Sequence, residues 1–167
     1  MGVFFTADTH FYHKNAIKLM SRPFKDVEEM NNKLIENWNN KVGEDDSIYI
    51  LGDFSFGNEQ QTVDILKQLN GNKYLILGNH DNLQRKPEVF WKFVWVEYYH
   101  KLIINKQKII LFHYPIQEFD CKQHGAIHLY GHIHKNQINH IKNTYNVGVD
   151  VNNYEPISLN EILERIE

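Results

Sequence analysis

Residues 3–10, Val3-Phe4-Phe5-Thr6-Ala7-Asp8-Thr9-His10, run an apolar β-type segment directly into a carboxylate and an imidazole. A short, unbroken apolar run of this kind reads as a buried strand. The device recurs twice. Ser47 to Leu51 is followed by Gly52-Asp53, and Tyr74 to Leu77 by Gly78-Asn79-His80-Asp81. Helical periodicity fills the gaps. Asp26 to Asn40 places Val27, Met30, Leu34 and Trp38 on one face, with Asp26 and Glu29 spaced as a capping box. Asn58 to Leu69 turns Val63, Leu66 and Leu69 inward, with Asn58 and Gln61 as its capping box and Gly71 as its stop. The first half therefore reads β-α-β-α-β, an α/β pattern.

After Asp81 the pattern becomes mostly β. Lys101 to Ile104 and Lys108 to Phe112 suggest a hairpin around Asn105-Lys106-Gln107. Ala126 to Tyr130 and Thr144 to Val149 suggest two more strands, and Ser158 with Glu161 caps a short final helix. Two sheets packed together with helices outside satisfy both halves. No linker, repeat or low-complexity segment interrupts the chain, and residues 1–167 suit one domain. A domain of this size buries roughly 70% of its unfolded surface, so it needs no metal for stability. Any metal it binds is expected to be catalytic.

Composition is that of an ordinary globular protein, with 23% charged and 42% hydrophobic residues. The net charge of −3 argues against a chain-wide nucleic-acid surface, so nucleic acid is possible as a substrate but not indicated. Cys121 is the only cysteine, which leaves no disulfide framework. No apolar stretch approaches the ~18 residues needed to span a bilayer, and no basic, apolar leader opens the sequence. These features give the expectation of a cytoplasmic protein without a membrane partner.

The polar groups that follow the strands carry the chemistry. Asp8 and His10, at i and i+2, would point the same way on extended chain and so could touch one ion. Gly52 leaves Asp53 room to bridge two ions. Asn79 offers an amide oxygen, His113 stands at the end of Leu111-Phe112, and Gly131-His132-Ile133-His134 adds two imidazoles at i and i+2. Any one of these pieces occurs by chance in many chains. Five in order, each at a strand end, point to a pair of divalent ions and to phosphate ester chemistry.

In these five blocks the chain resembles the calcineurin-like metallophosphoesterase superfamily, whose pattern is Asp-x-His, Gly-Asp, Gly-Asn-His-Asp or Glu, His, and Gly-His-x-His. The blocks span residues 8 to 134. The resemblance implies a four-layer α-β-β-α sandwich, two mixed sheets between helices. It implies one ion held by Asp8, His10 and His134, a bridging Asp53, and a second ion held by Asn79, His113 and His132. It also implies a hydroxide held between the ions as the attacking group. His80 would meet the substrate as general acid, with Asp81 orienting it and Asn79 helping to stabilise developing charge. Imidazole and carboxylate donors suit Mn, Fe, Zn, Co or Ni, and the resemblance makes manganese the first expectation.

Protein Ser/Thr phosphatases of that superfamily continue Gly-Asp with Asp-Arg-Gly, whereas Phe54-Ser55-Phe56-Gly57 follows here, which argues against that role. Compact bacterial and phage members are more similar: His13, Arg22-Pro23-Phe24 and Asn146-Val147-Gly148-Val149-Asp150 fit them. The expected substrate is a phosphorylated small molecule or nucleotide, with a lean to diesters. A monoesterase, a nuclease and a non-catalytic metal-binding scaffold or protein-interaction module are the alternatives. His13 and Arg22 are candidate substrate contacts, with a surface helix residue the alternative for His13 and a structural ion pair the alternative for Arg22. Tyr114 reads as wall, His124 and His128 as packing or surface, and Lys14, Arg85, Lys135 and His140 as solvated. The aromatic block from Phe90 to Tyr99 could be core and lid or could stack bases.

Overall fold

The structure is a computed structural model that describes residues 1–136 and 141–166; His140 lies outside them. Its first sheet contains β1 (Val3–Thr6), β2 (Ser47–Leu51), β3 (Asn72–Ile76), β4 (Val96–Glu97) and a late strand, Ile157–Ser158. The order is β4-β3-β2-β1, then the late strand at the far edge. β1 to β4 are parallel, and the late strand is antiparallel to β1, so the sheet is mixed. The second sheet runs β5 (Tyr99–Ile104), β6 (Gln107–Phe112), β7 (Ile127–Tyr130) and β8 (Thr144–Asn146) in spatial order. β5 and β6 are antiparallel, whereas β6, β7 and β8 are parallel. The late strand is β9.

Strand alternation explains the layers. On β2, Ile48 and Ile50 face the helices, and Tyr49 and Leu51 face the other sheet. The helical layer is α1 (Lys14–Leu19), α2 (Val27–Lys41) and α3 (Glu59–Gln68), whose Met30, Leu34, Trp38, Val63 and Leu66 join one core with Ile48, Ile50 and Leu75. A second core lies between the sheets: Phe5, Leu51 and Ile76 meet Ile109, Leu111, Ile127 and Leu129. A four-residue helix, α4 (Pro87–Phe90), precedes β4, and α5 (Leu159–Arg165) adds Leu159 and Ile162 to the inter-sheet core. The outer face of the second sheet is covered by the segment after His113. There Phe119 packs on buried His128, and the only regular element is a 3-10 turn at Lys122–His124.

Local rules place the ends. Asn58 with Gln61 and Ser158 with Glu161 form full capping boxes. At α2 Asp26 caps the Glu29 N–H, but the Glu29 side chain accepts from Lys25 N, one residue beyond the box partner. The hairpin turn is shorter than the sequence suggests: Asn105 and Lys106 alone close it, both at positive φ (50° and 71°), the backbone of a type I′ turn. β8 also ends early, at Asn146, where Gly148 N–H bonds to the Asn146 side chain and a 3-10 turn at Val149–Val151 follows. Two short strands, β4 and β9, escape pattern reading because two residues carry no periodicity.

Trp38 is 1% exposed and donates its indole N–H to Asn70 O at 3.0 Å. Trp38→Ala is expected to cost about 3–5 kcal/mol through the cavity it leaves. Chemical denaturation measures this directly, and a loss under about 1 kcal/mol would contradict the packing described.

Candidate metal centre

Parallel strands end on the same edge of a sheet, and ligands in open α/β sheets gather there. The five sequence blocks follow the C-terminal ends of β1, β2, β3, β6 and β7. Two bonds bring the two edges together: His132 N–H donates to Asp8 Oδ2 at 2.8 Å, and His113 Nδ1 lies 2.7 Å from Leu51 O. Close backbone approach requires glycine at two points. Gly52 takes φ +88° under the His113 ring, and a Cβ on Gly131 would collide with Ala7 and the Asp8 carboxylate.

The ligand pairs do not converge on extended chain, as their i, i+2 spacing suggested. Asp8, His10, Asp53, His132 and His134 all take positive φ, between 50° and 69°. The chain coils left-handed at each of these five positions, a conformation costing of order 1–3 kcal/mol per residue. Backbone bonds hold it there: Asp8 N–H to Gly52 O at 3.0 Å and His10 N–H to Asp53 O at 3.1 Å.

Two clusters result. In the first, Asp8, His10 and His134 bring their ligand atoms within 4.8 Å of one another, and Asp8, Asp53 and His113 do the same. In the second, Asn79 Oδ1 lies 3.0 Å from both His113 Nε2 and His132 Nδ1. Asp53 Oδ2 joins the clusters, 3.7 Å from His10 Nε2 and 3.6 Å from His113 Nε2. The donors fit divalent ions. The Leu51 carbonyl can only accept, so the neutral His113 ring carries its proton on Nδ1 and turns a lone pair on Nε2 toward the Asn79 oxygen. Two acceptors at that distance repel unless a cation lies between them, and donors ~2.0–2.2 Å from a shared ion stand roughly 3 Å apart. Asp8 Oδ1 and His10 Nε2 are buried and have no hydrogen-bond partner among the described residues. A cation would supply one to both.

The electrostatics agree. Burial, with Asp53 and Asp150 nearby, pushes the Asp8 carboxyl up to about 8 against the opposing pull of His134 and the His132 N–H. Burial and the neighbouring Arg22 cation hold His10 down to about 2. For His134, burial alone would lower the pKa, but the bond from Nδ1 to Asp150 Oδ2 at 2.8 Å and the charge of Asp8 raise it. That bond fixes the ring so that Nε2 is the nitrogen left for an ion.

Two expected site residues have other jobs. Arg22 does not face a substrate. Its guanidinium is sealed beneath the site, bidentate to Asp150 at 2.9 Å for each bond, and donates to Asp8 O and Thr9 O at 2.7 and 2.8 Å. Asp81 does not orient His80. Its carboxylate accepts from Asp53 N, Gly78 N and Phe54 N at 2.8, 2.9 and 3.0 Å, and so clamps the loops after β2 and β3. Adjacency in sequence did not give direction in space. His80 itself is exposed at the rim, and its N–H donates to Asp53 Oδ1 at 2.9 Å. His13 lies beside the site with Nδ1 2.9 Å from His10 Nδ1, which leaves Nε2 as its nitrogen for a substrate. Tyr114 is wall against His113 and His132, and His128 is buried between the carbonyls of Ile110 and Tyr114. Sequence reading takes Asp150 only as part of Asn146-Val147-Gly148-Val149-Asp150 and gives it no role, although it too is a carboxylate just after an apolar, strand-like segment. Nor does sequence reading give a role to Phe56, whose ring stacks on His13 at 3.9 Å and on His10 at 5.1 Å.

A family model described as the calcineurin-like phosphoesterase superfamily domain matches residues 1–151. The chain belongs to that superfamily, whose members use divalent metal ions. An uncharacterized protein of Methanocaldococcus jannaschii is 39% identical over 99% of this chain and 91% of its own length. The Gene 66 protein of Mycobacterium phage L5 is 28% identical over 89% of this chain and 86% of its own. Among solved structures, a protein of unknown function from Aquifex aeolicus superposes with a TM-score of 0.79 at 28% identity, covering 99% of both chains. A novel archaeal phosphodiesterase shares the fold, with a TM-score of 0.56 at 17% identity, over 95% of this chain and 99% of its own.

Asp81→Ala strands three backbone N–H groups, each costing roughly 1–3 kcal/mol where water cannot reach it. Unfolding should show that loss, and calorimetry should show weaker binding of manganese; full stability would remove the clamp. A second outcome follows from Asp8. In the metal-free protein it keeps its proton up to about 8, so an ion binding at pH 7 must displace it, whereas His10 has none to lose. Metal affinity should rise with pH by about tenfold per unit for each proton displaced, then flatten above the Asp8 pKa. Titrations in buffers of different ionisation heat should detect that proton, and heats independent of buffer would refute it.

Proposed function

We propose that the chain is a phosphoesterase dependent on two divalent metal ions, acting on a phosphodiester of a small or nucleotide-like molecule. The observation that carries this reading is the convergence of unsatisfied ligand atoms: the His113 Nε2 lone pair against Asn79 Oδ1, and Asp8 Oδ1 and His10 Nε2, buried without a hydrogen-bond partner among the described residues. Asp8, His10 and His134 would hold one ion, Asn79, His113 and His132 the other, and Asp53 would contact both. The donor set of imidazole, carboxylate and amide suits manganese, iron, zinc, cobalt or nickel, and membership of the superfamily, not the donor set, makes manganese the first of these. Such a pair of ions supplies Lewis acidity, drawing charge from the phosphoryl oxygens and lowering the pKa of water so that it can attack at neutral pH.

The protein's own groups do the rest. His80 is anchored by its backbone to the shared Asp53 while its ring stays at the exposed rim. From there it donates a proton to the leaving oxygen as general acid. His13 Nε2 is positioned to bind a phosphoryl oxygen, and Phe56 packs on the rings of His10, His13 and His80. The sealing of Arg22 supports a diester, because a dianionic monoester would gain most from a free guanidinium. No helix among the described residues is long and apolar enough to cross a membrane. A cytoplasmic location with a dissolved phosphorylated substrate is part of the proposal. A non-catalytic scaffold would leave the rim histidine without a use.

Elemental analysis of protein made with manganese supplied should find close to two ions per chain, and Asp53→Asn should lose both ions and activity. His80→Ala should keep the metal yet lower turnover about 10²–10⁴-fold on alkyl leaving groups, with much less effect on nitrophenolate. Equal rates on alkyl esters would remove the acid role, and metal-free protein would end the proposal.

A further inference from the structure

A cavity of about 620 Å³ opens directly beside the metal centre and shares Asn79 with it. That volume is in the range of small-ligand sites. Its walls include Leu83, Phe90, Trp91 and Tyr98, and its polar groups include the Asn79 and Asn82 amides. Phe90 is 42% exposed, Trp91 75% and Tyr98 70%, whereas Phe93 of the same block is buried in the core. The aromatic block is therefore split, with one part structural and the other turned to an open cavity. Asp81 also borders the cavity, but its carboxylate is already bonded to three backbone N–H groups.

We propose that this cavity is a nucleobase pocket and that the substrate is a nucleotide phosphodiester. The proposal rests on the phosphodiesterase reading and names its substrate class. An aromatic-walled site suits a planar uncharged ring, because stacking needs a π-face and no counter-charge. The Asn82 amide offers a donor and an acceptor, and Asn79, whose Oδ1 is turned to the metal centre, still offers its amide N–H groups; together they match the mixed edge of a base better than they match a plain phenyl group. Asn79 is common to both sites, so a phosphate at the metal centre and a base in the cavity are neighbours, as phosphate and base are across one sugar.

The test compares two esters with the same leaving group in the presence of manganese: thymidine 5′-(p-nitrophenyl) phosphate and methyl p-nitrophenyl phosphate. The wild-type protein should favour the nucleotide ester in kcat/KM by about tenfold or more, and Trp91→Ala with Tyr98→Ala should collapse that ratio toward one. Both side chains are largely exposed, so circular dichroism should confirm an intact fold. Calorimetry with adenosine, which has no phosphate, separates the two readings: the wild-type protein should bind it and the double variant should not. Turnover of both esters with no preference, or a ratio unchanged in the variant, would overturn the pocket and leave the hydrolase standing. Adenosine bound only by the wild type, with neither ester cleaved, would uphold the pocket and end the hydrolase reading. A wild-type dimer that Trp91→Ala converts to monomer would mean that a second copy fills the cavity, and would overturn the proposal.

Discussion

Buried carboxylates bonded to the backbone of neighbouring loops hold the strand ends together. Asp81 reaches back to Asp53, Phe54 and Gly78, and Asp53 Oδ1 takes the His80 N–H in return. Asp8 Oδ2 takes the His132 N–H from the second sheet. Each such bond offsets part of the cost of removing a charge from water. Each also decides which oxygen is left over. Asp8 Oδ1 and Asp53 Oδ2 remain, and both face the imidazoles. The network that fixes the loops is therefore the one that prepares the candidate ligands.

Below that network lies a second one. The Arg22 guanidinium spans Asp150 and the carbonyls of Asp8 and Thr9, and Asp150 in turn orients His134. The pair is sealed from solvent. A buried ion pair gives little net stability, because desolvation consumes most of the attraction, but breaking it strands a charge. Its role here is geometric: it pins the left-handed coil at Asp8 and the ring of His134 to one support. Backbone strain at five of the seven candidate ligands is tolerable because neighbouring elements over-determine those positions.

Much of this was legible in the residues. The strands at Val3, Ser47 and Tyr74, the helices at Asp26 and Asn58, and the hairpin near Asn105 rest on local periodicity and capping, and they formed within a few residues of their expected bounds. Short elements such as β4 and β9 were not legible, because two residues pair only when a sheet edge is already there to receive them. At the site, the seven candidate ligands were visible as strand-end blocks and they do converge. Asp81 was visible too and was given the wrong direction, and of the two readings open for Arg22 the structural ion pair is the one that formed. Nothing local distinguishes a guanidinium that faces a substrate from one that faces a carbonyl.

The sequence by itself determined which strands are buried, which of their ends carry carboxylate, amide and imidazole, and to which superfamily that order belongs. Those properties depend on side-chain type and spacing along one segment. Only the tertiary structure decided which oxygen of each carboxylate is free, that Asp150 rather than Asp81 supports a histidine, and that part of the aromatic block is left open beside Asn79. Those properties depend on groups far apart in the chain, and a hydrogen bond is a constraint on distance and angle that no single segment contains.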